Sequence, residues 1–142
     1  IVAERSEVEL VVVGDVAETL RAAAPAAVSF VGSVDDARLA ELYSSSTALL
    51  MPSLSEGFGL PALESLVAGT PVVYGGRGAL PELVGDLGWP VDPFDDESIV
   101  SAIVSAIDSP IDVEPDRRRA LAAEYRWDAV AERVVAAIET VL

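Results

Sequence analysis

The sequence predicts an α/β fold, a doubly wound and mostly parallel sheet of about five strands with helices on both faces. Three observations predict it. Short apolar, β-branched runs alternate with stretches of helical spacing along the whole chain, the order that builds a parallel sheet. Hydrophobic residues make up 51% of the chain and the mean hydropathy is +0.42, which suits strands buried on both faces. Strand-like runs also end at glycine-bearing or polar loops, at Gly14-Asp15, at Gly32-Ser33-Val34, at residues 55–59 and at residues 75–78. In such a topology these loops gather at one edge, where an open sheet binds ligands.

Residues 1–5 read as the tail of a helix, and residues 9–13 as a first strand that ends at Gly14-Asp15. A short helix is expected over 16–24, stopped by Pro25, and a second strand over 28–31. Asp35 is placed to cap a helix running to Tyr43, with Leu39, Leu42 and Tyr43 inward and Ser44-Ser45-Ser46 breaking it. Residues 47–51 form the third strand. A helix follows from Leu60 to Ala68, with Pro61 in its first turn and Gly69 ending it. Leu60, Leu63 and Val67 would share its packing face, with Glu64 on the flank.

A fourth strand spans 71–74, a helical turn 80–84, and a short last strand 88–91. Asp95 or Asp96 caps an amphipathic helix whose stripe is Ile99, Val100, Ile103, Val104 and Ile107. Pro110 ends it. A polar helix is expected over 114–124, and a last one over 127–142 with Val130, Val134 and Ile138 as its stripe.

The 142 residues suffice for one domain with a substantial core. The formal net charge of −15 disfavours nucleic acid and anionic lipid as partners. The basic cluster Arg117-Arg118-Arg119 reads as an exposed helix face among Glu114, Asp116 and Glu124. With no cysteine and no histidine, thiolate chemistry, Ser-His-Asp catalysis and most zinc sites are excluded. Asp35-Asp36 and Asp95-Asp96 read as helix caps rather than metal ligands, so neither a metal nor a cofactor is expected. No apolar run approaches the roughly 18 residues of a membrane span, and a cytoplasmic setting is expected, with membrane contact at most peripheral. The opening at Ile1 reads as a cut inside a longer protein.

The chain is organised around residues 52–70, P-S-L-S-E-G-F-G-L-P-A-L-E-S-L-V-A-G-T. Strand, glycine-bearing loop and helix N-terminus follow one another there. Such a helix start offers backbone N–H groups to an anion, although the dipole supplies only about 0.3–1 kcal/mol. Glu64 reads either as a solvated helix carboxylate or as an acceptor for a ligand hydroxyl pair. Gly57 and Gly59 read either as a tight turn or as room for close approach of a ligand. Arg77 is either a cleft cation or solvated.

Glu56-Gly57-Phe58-Gly59-Leu60-Pro61-Ala62-Leu63-Glu64, followed by Ala68-Gly69-Thr70-Pro71-Val72-Val73, resembles the E-x7-E motif of family 4 retaining glycosyltransferases, in the C-terminal donor-binding domain of the GT-B fold. The resemblance extends through Val11 to Asp15, Ser29 to Val34, Leu39 to Tyr43 and Leu80 to Asp86, nearly the whole chain. It implies transfer of a sugar from a nucleoside-diphosphate sugar to a glycan, lipid or small-molecule acceptor, retaining anomeric configuration without a covalent side-chain intermediate.

By resemblance, Glu56 is the catalytic candidate. It would contact donor-sugar hydroxyls together with Gly57, Phe58 and Gly59, and position the sugar rather than attack it. Gly59 and Leu60 would hold the diphosphate and Glu64 the ribose. The backbone at Gly32, Ser33 and Val34 would meet the base. Two rival readings are a nucleotide-sugar epimerase or phosphorylase on the same fold, and a flavodoxin-like interaction domain without a ligand.

The family pattern also has an earlier strand ending in Gly-Arg, a helix-opening Lys after it, and an N-terminal acceptor domain. This sequence contains none of them, so a donor-binding domain lacking its first strand is expected. In the strand order 3-2-1-4-5-6 that strand is central. Its loss would leave strands 9–13 and 47–51 with unpaired edges, costly to bury and open to self-association. Direct pairing of residues 11–13 with 49–51 is the expected remedy.

Overall fold

The computed structural model describes residues 1–141 apart from Val2, Ala3 and Ser6. The helix tail expected over residues 1–5 therefore falls partly outside the described residues. The chain divides into two compact units, residues 1–42 and 43–142.

In the first unit, β1 (Leu10–Val13) pairs in parallel with β2 (Val28–Gly32). The connecting helix α1 (Glu18–Ala23) starts two residues later than the expected boundary. Glu9 accepts a hydrogen bond from Ser29, and the Arg21 guanidinium lies 5.0 Å from the Phe30 ring centroid. Helix α2 (Asp36–Ser45) begins in this unit, with Asp35 Oδ1 accepting from the Arg38 N–H at 2.8 Å. Its inward stripe is the expected Leu39, Leu42 and Tyr43, each half-buried. Ser44 and Ser45 continue the helix rather than break it.

The second unit holds β3 (Leu49–Met51), β4 (Val72–Gly75) and β5 (Gly88–Val91), parallel and in that spatial order. Side chains alternate between its faces. Val72 and Tyr74 pack with Ala62, Leu66, Leu80, Leu83, Val84, Leu87 and Val113. These come mainly from α3 (Leu60–Ala68) and α4 (Leu80–Val84), and Leu121 and Tyr125 at α6 (Pro115–Glu124) close the layer. On the opposite face, Val73 and Val91 pack with Ala102 and Ala106 of α5 (Asp96–Asp108). The sheet is thus covered on both sides, and every residue of β4 is buried. Helix α7 (Trp127–Val141) completes the chain.

Every strand pairing is parallel, but the strands form two sheets, β1-β2 and β3-β4-β5. The expected ladder between residues 11–13 and 49–51 is absent among the described residues. Periodicity marks which runs are strands, whereas strand partnership is decided by long-range packing. Among the described residues, every fully buried side chain lies between Ala62 and Val113.

Three helix faces differ from expectation. In α3 the buried residues are Ala62, Ser65 and Leu66, while Leu60 is 56% exposed. At about 100° per residue, Glu64 stands roughly 200° from Ala62, opposite the buried face and not on its flank. In α5 the small residues Ala102 and Ala106 face the sheet, and Val100 points outward. Close helix–sheet contact selects small side chains over large ones. Along α7, Val134 and Ile138 of the expected stripe are exposed.

The helix ends follow the sequence closely. Asp95 Oδ1 accepts from the Glu97 N–H at 3.0 Å. Gly69, at φ 101°, sits at the end of α3, with its N–H on Leu66 O and the Thr70 N–H on Ser65 O, the paired bonds of a Schellman end. Arg118, part of the basic cluster, is half-buried, and its Nε donates to Val67 O at 3.0 Å. It thereby satisfies a carbonyl at the negative end of the α3 dipole. Arg117 pairs with Asp86 at 3.1 Å, and Arg119 pairs with Asp116.

Candidate functional site

The site lies where β3 and β4 give way to their loops. Met51 ends β3, and the Ser53 N–H turns back to Met51 O at 2.8 Å. This turn puts the Ser53 hydroxyl 2.9 Å from Glu56 Oε1, to which it donates. Glu56 is half-buried, and the Ala79 N–H donates to its carbonyl at 3.3 Å. Gly78, at φ 67°, lies against the same residue, and a Cβ there would stand 2.8 Å from Glu56 O. Gly75 abuts Ser53 so closely that a Cβ would overlap the Ser53 carbonyl. The side chain of Glu56 is therefore set by Ser53, which packs against the end of β4, and its backbone by the loop that follows β4.

The helix start is built without a side-chain cap. Gly59 is left-handed at φ 94°, and its carbonyl accepts from the Ala62 and Leu63 N–H groups at 3.0 and 3.1 Å. A Cβ on Gly59 would meet Leu80 Cδ2 at 2.5 Å. Pro61 has no N–H, so Leu60 supplies the donor of the first turn, and it has no backbone acceptor among the described residues. Gly57 differs, because its φ is not positive and a Cβ there would meet nothing within 4 Å. The Phe58 ring packs edge-on to Tyr125 with centroids 5.3 Å apart, tying the loop to the end of α6.

Glu56, Gly57, Phe58, Gly59, Leu60 and Glu64 belong to the second unit. Gly32, Ser33 and Val34 belong to the first, at the end of β2. Gly32 is at φ 68°, and its carbonyl accepts from the Gly14 N–H at 2.8 Å. Arg77 is largely solvated, 3.6 Å from Asp92 and over the Phe94 ring at 5.2 Å. Among the described residues no cluster of three potential metal ligands occurs, and no helix is long and apolar enough to cross a membrane. Ser53 and Gly78 were missed from sequence as supports of Glu56. The second glycine loop carried the available signal, but nothing local linked it to residue 56.

Glu64 is exposed, and its Oε2 accepts from the Tyr43 hydroxyl at 3.3 Å. Burial, then the Glu64 charge, then that hydrogen bond push the Tyr43 phenol up to about 12. Burial also raises Tyr74. Tyr125 is raised by burial and then by Glu124 and Glu82, with Arg133 opposing. A raised phenol favours the neutral form in the folded state. Its contribution to stability is therefore intact below pH ~10 and lost as pH climbs through the folded value. In a spectrophotometric titration, all three tyrosines should ionise later in the folded chain than in urea. Tyr43→Phe should remove the latest transition. Ionisation of Tyr43 at its unfolded-state pH would contradict the assignment.

The family model "Glycosyl transferases group 1" matches residues 1–109. O-antigen chain mannosyltransferase B of Escherichia coli is 37% identical over 103 residues, covering 71% of this chain and 27% of that protein. MMP alpha-(1->4)-mannosyltransferase of Mycolicibacterium hassiacum is 38% identical over 113 residues, covering 75% of this chain and 27% of that protein. Sucrose-phosphate synthase from Thermosynechococcus elongatus superposes with a TM-score of 0.77 at 24% identity, over 94% of this chain and 38% of that one. The chain thus spans about a quarter of the length of these curated relatives.

Proposed function

This chain belongs to the glycosyl transferases group 1 family, and on that premise we propose that it is the C-terminal, donor-binding domain of a retaining, family 4 GT-B glycosyltransferase. The donor is a nucleoside-diphosphate sugar, and the acceptor is met by a separate domain. The observation that carries this reading is the pairing of a fixed carboxylate with an open helix start. Glu56 is held by Ser53 and the Ala79 N–H beside the first turn of α3, where the Leu60 N–H is without a backbone acceptor. Hydroxyls of a sugar suit the first, and a diphosphate suits the second. Gly57 supports the same reading, because the fold itself does not require a glycine there. Glu64 stands four residues, about 6 Å of helix rise, beyond Leu60, a spacing that suits the ribose next to the diphosphate. Transfer is favoured over an epimerase, a phosphorylase or a ligand-free domain, because the two relatives named above are mannosyltransferases.

Calorimetric titration of the full-length protein with ADP, GDP and UDP tests this. At least one should bind, and Glu64→Ala should weaken that nucleotide about 10- to 100-fold, the loss of hydrogen bonds to a charged group. Binding of none would remove the nucleotide reading, and unchanged affinity in Glu64→Ala would remove the ribose role.

A further inference from the structure

Glu64 is a long, exposed side chain on the outer face of α3, and such side chains normally sample several rotamers. Here a ring of hydrogen bonds returns to it. Ser65, its neighbour on α3 and fully buried, donates to Thr70 O at 2.9 Å. Thr70, also buried, donates its hydroxyl to the Tyr43 carbonyl and reaches Ser46 O at 3.5 Å. Tyr43, in the last turn of α2, closes the ring by donating to Glu64 Oε2 at 3.3 Å.

We infer that Tyr43 is a positioning residue, held by Thr70 and aimed at Glu64 so that the carboxylate is pre-oriented for the ribose hydroxyls of the donor nucleotide. The inference rests on the ribose role of Glu64 given above. The stereochemistry permits both contacts at once. An ionised carboxylate offers about four acceptor positions on two oxygens, and the phenol engages Oε2 alone. The phenol also stays protonated, and therefore a donor, across the physiological range. Neither Ser65 nor Thr70 needs to touch ligand. Their buried bonds fix the Tyr43 backbone, and the phenol carries that constraint to the outer face of α3. Preorganisation of this kind lowers the ordering cost of binding.

The test compares each ribonucleoside diphosphate that binds with its 2′-deoxy counterpart, in the full-length protein. Tyr43→Phe should weaken the ribonucleotide about 3- to 10-fold. The 2′-deoxynucleotide should lose less, so discrimination between the two shrinks. KM for the donor should rise with kcat within about twofold, the pattern of lost uniform binding. Thr70→Val, which frees the Tyr43 carbonyl without touching the phenol, should shift the same ratio in the same direction by less. A merely structural Tyr43 would lower thermal stability and leave the ratio untouched. If Glu64→Ala abolishes discrimination while Tyr43→Phe and Thr70→Val both keep it, the positioning role is wrong and the ribose reading stands. If Glu64→Ala itself keeps discrimination, the ribose reading falls and the role of Tyr43 falls with it.

Discussion

On the donor-sugar role proposed for Glu56, Glu56→Gln in the full-length protein is expected to lower turnover about 100-fold while nucleoside-diphosphate affinity stays within about threefold. The carboxylate is held by the Ser53 hydroxyl at one oxygen, and its backbone is held by the Ala79 N–H. An amide of the same shape can keep the Ser53 bond through its oxygen. It replaces the second acceptor with a donor and removes the charge, so the sugar hydroxyls of the proposed donor would lose their charge-assisted partner. Misplacement of a reacting group by about 1 Å can by itself cost roughly 10²-fold. Glu56 precedes Gly59 and the start of α3, so the nucleotide end of the donor should be little affected. Steady-state rates with the donor, beside calorimetry with the free diphosphate, separate the two effects. A large loss of diphosphate affinity with normal turnover would exchange the roles of Glu56 and Glu64.

Gly75→Ala is expected to destabilise the second unit by about 3 kcal/mol, the upper part of the range for overpacking. The added methyl would overlap the Ser53 carbonyl, which is backbone and has no rotamer through which to yield. It would also stand 3.2 Å from Pro93 Cγ. The melting temperature should fall by about 10 °C. Because Ser53 holds Glu56, the surviving folded fraction should also have reduced turnover. Gly57→Ala is the control, since its Cβ would meet nothing within 4 Å and its φ is not positive. Equal melting temperatures for the wild-type chain and Gly75→Ala would show that the β3 turn gives way at little cost.

Much of the fold was legible because the chain marks its own boundaries. Pro61 and Gly69 bracket α3, and Asp35 and Asp95 cap α2 and α5 with the bonds that aspartates at those positions are expected to make. The faces of the helices were less legible. Reading by hydrophobic size assigned Leu60 to the sheet, whereas Ala62 and Ser65 take that place. Ser65 tolerates complete burial because its hydroxyl finds Thr70 O. Strand partners were not legible beyond neighbours in the chain, so the two sheets were expected as one. At the site, the stretch containing Glu56 and Glu64 stood out by its own residues. Its supports, Ser53, Gly78 and Tyr43, did not, because each acts through a contact that no local pattern encodes.

The confinement of complete burial to the stretch from Ala62 to Val113 also sets an order of local opening. Amide protection scales with the free energy of the opening that exposes each N–H, and well-packed central strands approach the global value. Amides of β4, whose residues are all buried, with a parallel neighbour on each side, exchange with deuterium last. Among the strands, those of β1 and β2, a two-stranded ladder without a fully buried side chain, are expected to exchange first. The same hierarchy is expected to direct a protease to residues 1–42 and to the helices after Val113 before the packed stretch between Ala62 and Val113.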